Sequence, residues 1–136
     1  MKIMAIDYGT VRTGVAISDA MGFIAGKAYT INAGSERQLL EEIISAVKEN
    51  KVERIVVGLP KNMNDTEGER AIKSKRFAEL VKEQSGLDVI MWDERLTTVD
   101  AHRILSEANK HGKKRRDTVD AVAATLILQS YLDSIR

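Results

Sequence analysis

Met4-Ala5-Ile6-Asp7-Tyr8-Gly9-Thr10-Val11-Arg12-Thr13-Gly14-Val15-Ala16-Ile17-Ser18-Asp19 decides how the rest of the chain is read. An apolar run ends on one carboxylate, a glycine-bearing turn follows, and a second apolar run leads away. Asp7 therefore belongs at the end of a strand anchored in the core by Ile3, Met4, Ala5 and Ile6. Gly9 and Gly14 permit a tight reversal and let a ligand backbone come close. An acid on a rigid strand end suits metal binding, because the scaffold fixes its geometry. On position alone, an Asp that merely opens an Asx turn is an equal reading. Two acids further along the chain favour the first.

The chain has 136 residues, 43% hydrophobic and 30% charged, which implies one soluble globular domain over 1–136. The formal net charge is only +1, so affinity for nucleic acid has to come from local patches. There is no cysteine, which excludes disulfides, thiolate catalysis and cysteine zinc sites. His102 and His111 do not have zinc spacing. The chain enters a strand directly, without a signal-peptide pattern, and no apolar run reaches membrane-spanning length. The expected location is cytoplasmic, with no membrane partner.

Outward from the first strand, Val15 to Ser18 and Ala28 to Asn32 read as two more strands of an antiparallel meander. Ser35-Glu36-Arg37-Gln38 is a capping box ahead of Leu39, Leu40, Ile43, Ile44 and Val47 at helical spacing. Arg54 to Leu59 is a continuous apolar strand of the kind buried on both faces, and it stops at Pro60, the only proline. After the polar loop Lys61 to Asp65, Thr66-Glu67-Gly68-Glu69 is a second capping box, for a helix running to about Ser85 and stopped by Gly86. Asp88 to Trp92 is the last strand, followed by Asp93-Glu94-Arg95. A third helix opens at Thr97 to Asp100, and a last one runs from about Thr118 to the C-terminus. This order, β-β-β-α-β-α-β-α-α, implies an α/β fold with a mixed five-stranded sheet flanked by helices, and it resembles the ribonuclease H-like arrangement. Open α/β sheets bind ligands at the carboxyl ends of their parallel strands, where Asp7, the Pro60 loop and Glu94 fall.

Asp120 is the only charge between Thr118 and Leu132. Val119, Val122, Ala123, Leu126 and Ile127 are expected to form that helix's apolar stripe. An acid on so heavily packed a helix needs a partner or a metal. The competing reading, an N-cap followed by a first-turn acid, explains Asp117 better than Asp120. Asp7, Glu94 and Asp120, converging from two strand ends and a helix, can hold one or two Mg²⁺ or Mn²⁺ ions, hard cations that take oxygen ligands. Two such ions activate a water and stabilise the leaving oxygen of a phosphodiester. Lys113, Lys114, Arg115 and Arg116 precede the Asp120 helix, and Arg12, Lys61 and Arg95 border the expected site. Such cations hold phosphates without reading sequence. Aromatic content is 4%, with Tyr8 alone near the site, so base stacking is expected to be thin.

Four blocks resemble the signatures of the YqgF (RuvX) family of bacterial ribonuclease H-like proteins. They are residues 7–19, residues 57–63 with Thr66-Glu67-Gly68, Trp-Asp-Glu-Arg-Leu-Thr-Thr (92–98), and Val119 to Leu132. The resemblance spans essentially the whole chain. It implies a nuclease that trims the 5′ end of pre-16S rRNA during ribosome maturation, with kinship to Holliday-junction resolvases. The family's acids fall on Asp7, Glu94 and Asp120, as both catalytic residues and metal ligands; Asp117 is not carried over. RuvC-type resolvases look to carry an acid at the end of the fourth strand, where this chain has Leu59-Pro60. The alternatives are therefore a resolvase acting on structured DNA and a module that binds nucleic acid without cutting it. A resolvase would need a two-fold dimer, whereas an RNA trimmer works as a monomer or weak homodimer.

Overall fold

Side chains along β1 (Ile3–Asp7) alternate between two cores, and this alternation positions the site. Met4 and Ile6 enter one apolar cluster, while Ile3 and Ala5 enter another on the opposite face. The computed structural model describes residues 1–61, 67–96 and 113–135, with no account of the side chains of residues 113–118. Within it, β1, β2 (Thr13–Ser18), β3 (Ala25–Ile31), β4 (Arg54–Leu59) and β5 (Asp88–Asp93) form one sheet in the order β3-β2-β1-β4-β5. β1 to β3 pair antiparallel, whereas β1, β4 and β5 run parallel. The expected meander followed by strand–helix alternation is present. β2 and β3 are longer than expected, because pairing extends to Thr13–Ile31 and Ser18–Ala25, across a bulge at Ile17/Ser18.

Helix α1 (Glu36–Glu49) and helix α2 (Glu69–Ser85) cover one face, contributing Leu39, Ile43 and Val47, and Phe77, Ala78 and Val81. Helix α3 (Lys113–Ser134) covers the other with Ala124, Ile127, Leu128, Tyr131 and Leu132. The apolar stripe of α3 is thus not the expected Val119, Val122, Ala123, Leu126 and Ile127; only Ile127 is common to both. A helix apolar nearly all round carries no phase information in its periodicity. Among the described residues α3 is already helical at Lys113 rather than from near Thr118, which puts Lys113 to Arg116 on the helix. Lys and Arg are good helix formers, which accounts for the helical backbone there.

The caps explain the other boundaries. Ser35 Oγ accepts from Gln38 N at 3.1 Å, but the Gln38 side chain reaches past Ser35 to accept from Gly34 N at 2.9 Å. α2 begins after Gly68, which provides no side-chain cap, rather than at the Thr66 box, and it ends at Gly86 with φ of 71°. The third expected helix, from Thr97, lies outside the described residues, as do residues 62–66. Among the described residues no helix is long and apolar enough to cross a membrane.

Candidate active site

Each acid reaches the site because its position keeps the phase of its element. Asp7 follows Ile3 and Ala5 on β1, and so faces α3. Glu94 follows Ile90 and Trp92, which also face α3, and opens a 3₁₀ turn (Glu94–Leu96) directly after β5. Asp120 lies four residues before Ala124 and extends the buried stripe of α3 toward its N-terminus. The three acids therefore share one face at the carboxyl-end rim of the parallel strands.

Two glycines on that face provide the space. Gly14 is the cross-strand partner of Asp7, and a Cβ there would overlap the carbonyl oxygen of Asp120 and lie 2.6 Å from its carbonyl carbon. The α3 backbone at Asp120 thus rests directly on β2. Gly58 lies on β4, between the strands that deliver Asp7 and Glu94. A Cβ there would stand 3.2 Å from Glu94 Cγ and 2.6 Å from Ile127 Cδ1. Its absence lets Glu94 lean across β4.

The electrostatics show that the acids act on one another. Burial pushes the Asp7 carboxyl up to about 8, and the negative charge of Glu94, a hydrogen bond to Glu94 and the charge of Asp120 add to that. Arg70, in the first turn of α2, pulls in the opposite direction. The shift favours the protonated form of Asp7, and the Asp7–Glu94 pair shares the proton, as close carboxyl pairs do. Asp120 is instead met by Arg12, whose Nε donates to Asp120 Oδ2 at 2.9 Å. Arg95 folds back on Asp93, with Nη2 at 2.6 Å and its backbone N–H at 2.9 Å, and this holds the Asp93 carboxyl below its usual range. Lys61 pairs through its backbone with Glu67 in an isolated antiparallel β-bridge, and its charge adds to the positive field at Asp93.

With these side-chain positions, no three acids or histidines among the described residues stand close enough to hold a metal ion together. The donor set is nevertheless all oxygen and mutually repelling, which fits a hard divalent cation. Arg12 provides the positive charge at Asp120 that such a cation would replace. Among the expected phosphate-binding residues, Arg12 and Arg95 lie at the rim, each engaged with an acid. The side chains of Lys113, Lys114, Arg115 and Arg116 lie outside the description. Two residues that sequence reasoning passed over emerge here, Gly58 and Arg70, and Gly14, read from the sequence as a turn glycine, is also the seat of α3. The alternation of β2 and β4 would have put both glycines on the acid-bearing face. Nothing in the sequence distinguishes Arg70 from its basic neighbours on α2.

Residues 1–134 match the family model RuvX, described as a Holliday junction resolvase. A protein of Listeria monocytogenes serotype 4b is 48% identical over 136 residues, covering 98% of this chain and 99% of its own length. One of Clostridium novyi is 47% identical over 135 residues, covering 99% and 100%. Both carry names that make them candidate pre-16S rRNA nucleases. RuvC of Thermus thermophilus, solved with a Holliday junction substrate, superposes with a TM-score of 0.66 at 10% identity, covering 98% of this chain and 96% of its own. The fowlpox virus resolvase, solved with Holliday junction DNA, gives 0.59 at 14% identity and 99% of each chain. At such identities the superpositions speak for the fold, a resolvase-type ribonuclease H-like architecture.

Proposed function

The chain belongs to the RuvX family, and we propose that it is a divalent-metal-dependent nuclease that hydrolyses RNA phosphodiester bonds and trims the 5′ end of pre-16S rRNA in the cytoplasm. The observation that carries this reading is the convergence of Asp7, Glu94 and Asp120 on one face of the strand-end rim, where burial first, and then Glu94 and Asp120, push Asp7 up to about 8. The precursor as substrate is supported by the names of relatives nearly half identical over their full length.

Asp7, Glu94 and Asp120 would hold Mg²⁺ or Mn²⁺. When bound, the cation supplies a nucleophilic water and neutralises charge on the phosphodiester. The chain's own residues do the rest. The Asp7–Glu94 pair gives up its shared proton as the site loads, and Gly14 and Gly58 keep the carboxylates within reach of one another. Arg12, Lys61, Arg95 and the run Lys113 to Arg116 hold the phosphates of the strand, which positions it without reading bases. Residues 1–136 act as one such domain, as a monomer or weak homodimer.

Resolution of a DNA junction is the second reading, favoured by the family's description. Incubation with a 5′-extended 16S precursor fragment and, separately, a four-way DNA junction, in Mg²⁺, Mn²⁺ or EDTA, separates the two. Metal-dependent cutting of the RNA alone is the expected result, and cutting of the junction alone would replace it with the second reading. If both are bound and neither is cut, the chain is a binding module.

A further inference from the structure

Asp7 and Tyr8 are consecutive but point to opposite faces of the sheet, so the rim has a second side. There a cleft of about 210 Å³ opens between the turn Tyr8, Gly9 and Thr10 and the first turns of α2, lined by Glu69, Arg70 and Lys73. A second hollow of about 220 Å³ shares the turn and Lys73 and continues toward Arg76. We propose that this cleft is a phosphate subsite, in which Arg70 and Lys73 grip the RNA backbone beside the phosphodiester at the acids. The inference rests on the nuclease reading above and adds a place for the substrate strand that neither the sequence nor the family blocks indicated.

Two features of the cleft select this ligand. Arg70 is exposed and makes no hydrogen bond or ion pair with any of the described residues. Its guanidinium is thus already available for the bidentate geometry that phosphate oxygens accept. Lys73 meets Glu69 at 3.2 Å, an exposed i,i+4 pair whose modest strength lets a phosphate displace it. At the turn, a Cβ on Gly9 would overlap the carbonyl oxygen of Arg12, so the glycine keeps the turn tight and holds this wall of the cleft in place.

The cleft also lacks what base recognition needs. The Tyr8 ring is stacked on Phe77 at 4.6 Å, and its hydroxyl donates to Glu36 Oε2 at 2.7 Å. It offers no free stacking platform, so the subsite takes backbone phosphate whatever the sequence. Arg70 also acts electrostatically on Asp7, favouring its charged form. A strand crossing the rim would place one phosphate at the carboxylates and a neighbouring one between Arg70 and Lys73.

The test compares wild type, Arg70→Gln and Arg70→Lys on a 5′-extended 16S precursor fragment. Binding is titrated over a range of KCl in EDTA, and cleavage is followed in Mg²⁺. Arg70→Gln should bind several-fold more weakly, with the slope of log affinity against log salt reduced by roughly 0.7–0.9, the value of one phosphate contact. Its cleavage loss should fall on KM more than on kcat, Arg70→Lys should recover most of the affinity, and thermal melting should confirm that both variants fold. If wild type binds and cuts while Arg70→Gln keeps the wild-type affinity and salt slope, the subsite is wrong and the nuclease reading stands. If wild type neither binds nor cuts the RNA, that reading falls and the subsite falls with it.

Discussion

Asp7 and Glu94 share a hydrogen bond across β4, although β1 and β5 are not neighbours in the sheet. Burial and that pairing push Asp7 up to about 8, far above the ordinary 3.8, so the metal-free fold favours its protonated form. Between those values the folded chain binds more protons than the unfolded chain, so stability falls as pH rises from about 4 to about 8. Asp7→Asn should flatten this dependence. At pH 8 in EDTA it should melt higher than wild type by at least about 4 °C, roughly the effect of ~1 kcal/mol in a chain of this size. Thermal melts across pH check this, and an unchanged pH profile would count against the shared proton.

Cation loading must expel the same proton. The half-saturating Mg²⁺ concentration should therefore fall as pH rises toward 8 and level off beyond it. Isothermal titration at several pH values, with proton release read from the buffer dependence of the heat, measures this directly. Affinity independent of pH over that window would contradict the assignment of Asp7 as a ligand.

Gly14→Ala should be the most damaging of the small substitutions at the site. Its Cβ meets backbone at Asp120, which cannot swing aside, so α3 has to shift. Overpacking of this kind costs about 1–3 kcal/mol, and the displacement of Asp120 should also lower cleavage at least tenfold. At Gly58 the nearest atom is instead the flexible end of Ile127, so Gly58→Ala should cost less stability than Gly14→Ala. Denaturant unfolding beside a cleavage assay checks the order, and equal destabilisation would show that α3 does not rest on β2 as described.

Arg12 tests the counter-charge at Asp120. Its ion pair is partly buried, with side-chain exposures of 27% and 22%, so Arg12→Gln should cost about 0.5–1 kcal/mol. With Asp120 released, the site should load at a lower divalent cation concentration than wild type, while RNA binding in EDTA weakens. A higher cation requirement would mean that Arg12 orients Asp120 for the metal rather than competing with it.

Much of the fold was legible in local chemistry. The apolar run Arg54 to Leu59, the Ser35 cap and the Gly86 stop each imposed the boundary they predicted. The phase of α3 was not legible. Alanine and leucine surround it, and tertiary contact with Ala16 and Val56 chose Ala124 and Leu128 over Val122 and Ala123. The second capping box failed for a related reason: Thr66 to Glu69 has the right letters, yet the helix starts after Gly68 without a side-chain cap. Asp7 and Glu94 could be picked out as acids at strand ends, and Asp120 as the lone charge on a heavily packed helix. The seating of α3 on Gly14, the approach of Glu94 to Gly58 and the pull of Arg70 on Asp7 could not, because they join elements far apart in the chain.

The central claim is that Asp7, Glu94 and Asp120 together cut RNA. The most direct test is single-turnover cleavage of a 5′-extended 16S precursor fragment in Mg²⁺ or Mn²⁺ by wild type, Asp7→Asn, Glu94→Gln and Asp120→Asn, with melting curves to show that each folds. The expected result is cleavage by wild type alone, abolished by EDTA, with every variant folded and each losing at least about a hundredfold in rate. Cleavage that survives in a folded Asp7→Asn would contradict the account.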